Sequence, residues 1–164
     1  MIVSRARHTG FVVRDIERSL KFYCGILGLT VYKRETEQGE YIEKLVGIKN
    51  ARVEWVKLNI PGGGLIELLE YHSHPDPEVS RSEGARLARP SGEAAKISQP
   101  LSSNRLASGH IALTVENLDA LYKTLVAGGY ECNSAPLLAP GGKTKILYCH
   151  DPDGIIIELI EDLN

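Results

Sequence analysis

Two short apolar runs, each broken by glutamate at its third and sixth positions, occur far apart in the chain: Leu65-Ile66-Glu67-Leu68-Leu69-Glu70 and Ile156-Ile157-Glu158-Leu159-Ile160-Glu161. Dense apolar runs of this length, bounded by turn-forming residues, read as strands buried on both faces. Upstream of each run lies a second apolar strand opened by a histidine. These are His8-Thr9-Gly10-Phe11-Val12-Val13 and His110-Ile111-Ala112-Leu113-Thr114-Val115.

The segments between each histidine strand and its glutamate run follow one plan. Asp15 is a good N-cap, and Ile16, Leu20, Tyr23 and Leu27 fall on one helical face that Gly28 ends. Asn117 repeats the cap, with Leu118, Leu121, Tyr122 and Leu125 as the face and Gly128-Gly129 as the stop. Residues 29–34 and 52–60 read as strands in the first half, 130–132 and 145–149 in the second. Pro61-Gly62-Gly63-Gly64 and Asp151-Pro152-Asp153-Gly154 turn the chain into the glutamate strands. Each half is therefore strand, helix, then three strands, an α+β plan. The first half also has room for a short helix at 41–47, expected near the rim of the site. The spacing divides a single domain, 1–164, into a first module at roughly 6–71, a connector at 72–108 and a second module at roughly 109–162. The connector is rich in Pro, Ser, Gly, Arg and Glu and is read as a solvated linker, with a lid or subunit contact as the alternative. His72 and His74 at its start are read as exposed loop residues.

Composition narrows the partners. A formal charge of -2 and a pI near 6.2 give no basic excess for nucleic acid or anionic lipid, and no run approaches the length of a membrane span. Small molecules in the cytoplasm are the expected setting. Cys24, Cys132 and Cys149 are odd in number and widely spaced, so they are read as buried thiols without a disulfide framework. Cys149 adjoins His150, but neighbouring strand residues point to opposite faces, which disfavours a nucleophile pair.

The glutamates at the centres of the runs carry the chemistry. Glu158 shares a face with Ile156 and Ile160, and Glu67 with Leu65 and Leu69, so each carboxylate is expected to be buried and to need a cation or strong donors. Glu70 and Glu161 lie on the other face near strand ends and are assigned to solvent. His8 shares a face with Gly10 and Val12, and His110 with Ala112 and Thr114, small neighbours that leave space before the imidazoles. Two histidines and two buried glutamates at equivalent repeat positions form a ligand set for one divalent ion. Imidazole and carboxylate together suit Zn, Ni, Fe, Co or Mn.

The motifs His8-Thr9-Gly10-Phe11-Val12-Val13-Arg14-Asp15, Ser19-Leu20-Lys21-Phe22-Tyr23 and Leu27-Gly28-Leu29 resemble the opening module of the vicinal oxygen chelate superfamily. Gly109 to Val115 and Asp151-Pro152-Asp153-Gly154 through Glu158-Leu159-Ile160 resemble its second module. The resemblance implies two βαβββ modules forming an open, cupped mixed sheet of glyoxalase type, and a homodimer. It implies that His8, Glu67, His110 and Glu158 are the metal ligands, in the order found in bacterial lactoylglutathione lyases and similar to that of methylmalonyl-CoA epimerases. The implied activity is that of a divalent-metal-dependent lyase or isomerase. Its metal holds adjacent substrate oxygens and polarises a carbonyl, while Glu158, or else Glu67, moves the proton. The alternatives are an extradiol ring-cleaving dioxygenase, using two histidines and one glutamate with His150 or Tyr148 as acid-base group, and a non-catalytic binding or bleomycin resistance protein. The lyases it resembles carry arginine four residues after the first histidine and asparagine four after the first glutamate, both serving glutathione. Val12 and Tyr71 stand there in this chain.

Overall fold

A computed structural model describes residues 3–75, 103–104 and 108–163. Most of the connector, and with it the lid or contact role considered for it, lies outside the described residues. The chain falls into two compact units, residues 1–98 and 99–164. Each is a βαβββ module built on an open, mixed four-stranded sheet, the α+β architecture that the repeat predicts.

In the first unit the elements run β1 (Thr9–Val12), α1 (Ile16–Tyr23), β2 (Thr30–Gln38), α2 (Glu40–Val46), β3 (Arg52–Asn59) and β4 (Leu65–Tyr71). The sheet order is β1-β4-β3-β2, with β1 parallel to β4 and the other pairs antiparallel. Helix α1 starts where Asp15 Oδ1 accepts the Arg18 amide at 2.9 Å, as the cap residue predicts. Its buried face is Ile16, Ser19, Phe22 and Tyr23, so the stripe is rotated from the expected one. Leu27 lies beyond the helix, which ends at Tyr23. Val56, Leu58, Ile66 and Leu68 are fully buried on the alternate positions of β3 and β4. Each such side chain contributes about 1.5–3 kcal/mol of hydrophobic stabilisation. Helix α2 appears where expected. Its Ile42 packs with Ala51 and Val53, against Leu69 and Tyr71, and so covers one end of the opposite sheet face.

The second unit runs β5 (His110–Thr114), α3 (Leu118–Ala127), β6 (Leu137–Leu138), β7 (Thr144–His150) and β8 (Ile156–Asp162), in the order β5-β8-β7-β6. Asn117 caps α3 through the Ala120 amide at 3.1 Å, and Leu118 and Leu125 are buried. Leu147, Cys149, Ile157 and Leu159 line the buried side of β7 and β8. The strand expected at 130–132 contracts to a single bridge, Cys132 to Cys149, and the edge strand forms at Leu137–Leu138 instead. The chain bends through residues 133–135, and Pro136, which supplies no amide for pairing, comes just before the ladder resumes. No helix among the described residues is long and apolar enough to cross a membrane.

Candidate metal centre

Strand register fixes which side chains share a face. Glu67 pairs with Gly10 of β1 and Lys57 of β3, and Lys57 pairs with Lys33 of β2, so these four form one row across the first sheet. They lie on the face opposite the fully buried Ile66 and Leu68. His8, just before β1, brings Nε2 to 3.1 Å from Glu67 Oε2. Lys57 Nζ reaches the other oxygen, Oε1, at 3.2 Å. The expectation that this carboxylate needs a partner is met twice, and its side chain is only 13% exposed. Lys57 is itself held, its ammonium lying 4.4 Å from the centroid of the Trp55 ring, whose Nε1 donates to Glu37 Oε1 at 3.1 Å.

The second sheet repeats the arrangement with one change of residue. Glu158 pairs with Ala112 of β5 and Tyr148 of β7, and His110 Nε2 lies 3.1 Å from Glu158 Oε2. Tyr148 therefore occupies the register position that Lys57 holds in the first module. Its ring centroid is 5.2 Å from that of His110, and its phenol stands beside Glu158 at the paired position of the neighbouring strand. Burial, then the charge and hydrogen bond of Glu158, push the Tyr148 hydroxyl above the usual phenol range.

Each of the four residues singled out from the sequence is thus brought to its partner within its own module: His8 to Glu67, and His110 to Glu158. In both pairs an imidazole nitrogen faces a carboxylate oxygen, the mixed N and O donor chemistry that borderline divalent ions take. Gly10 keeps space at the first pair. A methyl group there would meet Glu67 Oε2 at 3.8 Å and Leu69 Cδ1 at 3.4 Å. These donors fit a divalent cation.

Other candidates separate cleanly. His150 is 4% exposed, with Nε2 at 2.9 Å from Asn133 Oδ1 and Nδ1 at 3.3 Å from the Gly154 carbonyl, so both ring nitrogens are engaged in holding the turn. Burial pushes the Cys149 thiol up to about 12, which makes it inert at neutral pH and agrees with the sequence reading.

Sequence reasoning missed the opposite face. Glu54 and Glu70 are directly paired across β3 and β4, and His72 bridges them, Nε2 to Glu54 at 2.9 Å and Nδ1 to Glu70 at 3.1 Å. These three offer ligand atoms within 4.8 Å of one another, a cluster able to hold a metal ion. Arg34 Nε already takes Glu54 Oε1 at 2.5 Å, and the Ile16 amide donates to Glu70 Oε2 at 2.9 Å, so a cation there would compete with existing donors. Burial works to raise Glu54, but the hydrogen bonds and charges of His72 and Arg34 hold it below the usual carboxylate range. Glu70 and Glu161, assigned to solvent, are instead helix caps. Glu161 accepts the Asn117 and Leu118 amides at 3.1 and 3.2 Å, as Glu70 accepts that of Ile16. Parity along β4 puts Glu70 and His72 on one side, and the observed β3–β4 register adds Glu54 to them.

Among curated proteins, the chain is 26% identical over 159 residues to a probable lactoylglutathione lyase of Vibrio cholerae, covering 96% of this chain and 91% of that one. It is 28% identical over 155 residues to a probable lactoylglutathione lyase of Synechocystis, covering 94% and 92%. Its fold is similar to that of a glyoxalase family protein from Bacillus cereus, with a TM-score of 0.78 at 21% identity over 99% of this chain and 96% of the other. Residues 5–159 match a single family description, and with the paired His and Glu modules this places the chain in the Glyoxalase/Bleomycin resistance protein/Dioxygenase superfamily.

Proposed function

We propose that the chain is a divalent-metal-dependent lyase or isomerase of the glyoxalase type, acting at a carbon next to a substrate carbonyl. The observation that carries this reading is the repeated pair, His8 with Glu67 and His110 with Glu158, each joined at 3.1 Å at equivalent positions of two modules. Together they would supply four ligands to one Zn, Ni, Fe, Co or Mn ion, the modules being combined within one chain or between the chains of a homodimer. The bound ion would supply Lewis-acid polarisation of a carbonyl in a substrate with adjacent oxygens. The remaining work falls to the chain. Glu158 takes the proton from the carbon beside the carbonyl and returns it to the neighbouring carbon, with Glu67 as the second candidate. Superfamily membership and the lactoylglutathione lyase relatives support the choice of reaction. The thiol partner is left open by Val12, whose side chain is exposed, and by Tyr71, whose ring packs beside α2. We place the reaction in the cytoplasm, on small molecules alone.

A second reading, extradiol ring cleavage, is favoured by the place of Tyr148 against His110 and Glu158, where a phenol could serve acid-base chemistry. Elemental analysis of protein purified without chelator or nickel resin, beside Glu67→Ala and His110→Ala, tests both. About one divalent ion per chain, lost in each variant, is expected. Thioester formation from methylglyoxal and glutathione, or deuterium exchange next to the carbonyl of other thiol adducts, then supports the lyase. Iron with catechol cleavage supports the dioxygenase. No uptake of any of these ions sinks both readings.

A further inference from the structure

Lys57 and Tyr148 stand at the same register position in the two modules, each paired with the glutamate of the neighbouring strand, yet one is a cation and the other a neutral phenol. We infer that the two residues tune metal binding in opposite directions, Lys57 as a built-in competitor for Glu67 and Tyr148 as a positioning residue for Glu158. The inference rests on the proposed metal centre.

The argument for Lys57 is electrostatic. Its ammonium holds Glu67 Oε1 while Oε2 faces His8, so it stands at the same carboxylate that a metal would use. Two cations sharing one carboxylate repel, and the site is only 13% exposed at Glu67, where solvent screens weakly. Lys57 is restrained from swinging away, because its ammonium lies 4.4 Å from the centroid of the Trp55 ring, whose indole donates to Glu37. Without metal, the same contact supplies the countercharge that a half-buried carboxylate needs. Tyr148 brings no charge. Its side chain is paired with Glu158 across β7 and β8 and its ring lies 5.2 Å from that of His110, so it packs against both members of the second pair and opposes no cation.

The test is a titration of metal-free protein with Co2+ alone, followed by visible absorption and by competition with a chromophoric chelator. Wild type, Lys57→Met, Lys57→Arg and Tyr148→Phe are compared, with thermal melts of the metal-free forms to verify folding. Methionine keeps the apolar stem on Trp55 and removes the charge. Lys57→Met is expected to bind Co2+ about tenfold more tightly and Tyr148→Phe about tenfold more weakly, the scale usual for groups that hold ligands. Lys57→Arg should stay near wild type, and Tyr148→Phe should also alter the Co2+ absorption bands. Unchanged or weaker binding in Lys57→Met, or unchanged binding and spectrum in Tyr148→Phe, overturns the inference while leaving the metal centre standing. Wild type that takes up no Co2+ overturns the metal centre and this inference with it.

Discussion

A carboxylate on the face of a sheet can hold a metal, carry a proton or bind its neighbours, and the partners within about 3 Å decide among these. Glu158 faces His110 and is paired across the strands with neutral Tyr148, with no lysine or arginine among its described partners, whereas Glu67 is tied to Lys57. This is why Glu158 is the better candidate for proton transfer. Glu158→Gln, which keeps an oxygen donor for the ion but cannot take up a proton, is expected to lower kcat by a factor of about 10² to 10⁴, measured as turnover per bound ion so that weaker metal binding is accounted for. A second prediction concerns Glu54. Its carboxyl is depressed below the ordinary value of 4.5, so the stability it contributes is fully present above that value and is lost as pH falls through the lower, folded value. Glu54→Gln should therefore be less stable than wild type at neutral pH and lose less on acidification through that window. Urea melts at closely spaced pH values would show it, and parallel acid limbs in the two proteins would contradict it.

At the scale of elements, the repeat made the Asp15 and Asn117 caps, the Gly128 stop of α3 and the two glutamate strands legible, because each rests on residues whose local chemistry is strong. Helix α1, by contrast, ends at Tyr23, short of the Gly28 expected to stop it. Polar edges were not legible. Strand β2 runs through Glu35, Thr36, Glu37 and Gln38, which carry no apolar alternation, yet it pairs with β3 as far as Gln38 with Arg52. Its ladder is set by the neighbouring strand, and a bulge between Val31 and Lys33 shifts the register once. The same limit hid the caps supplied by Glu70 and Glu161. A glutamate 54 residues along the chain from the amide it receives, as Glu70 is from Ile16, is invisible to any local rule. Because both carboxylates sit at helix N-termini, where the peptide dipoles favour negative charge, Glu161→Ala should cost about 1–2 kcal/mol of stability. Glu161→Gln should fall between alanine and wild type, since it keeps an acceptor and loses the charge. Denaturant melts read both, and an alanine variant as stable as wild type would show that the α3 amides find water equally well.

In the proposed metal centre two half-sets of ligands have to be combined, and internal duplication allows two solutions. Each module brings one histidine to one glutamate within its own unit, His8 to Glu67 and His110 to Glu158. Each half-set holds two of the four proposed ligands, and an ion held by all four then requires both modules, drawn from one chain or from two. A cyclic homodimer in which the first module of one subunit faces the second module of its partner contains two complete sites. Pairing a His8→Ala, Glu67→Ala chain with a His110→Ala, Glu158→Ala chain distinguishes the cases. If sites are shared between subunits, each mixed dimer regains one intact site and loses the other, so co-refolded protein should recover up to about a quarter of the wild-type metal and activity. If each chain builds its own site, every chain in the mixture lacks half its ligands and nothing returns. Metal content and turnover, measured on the separate variants and on the mixture, give the answer. Recovery in the mixture alone would mean that the active unit is the dimer and that dissociation abolishes the metal centre.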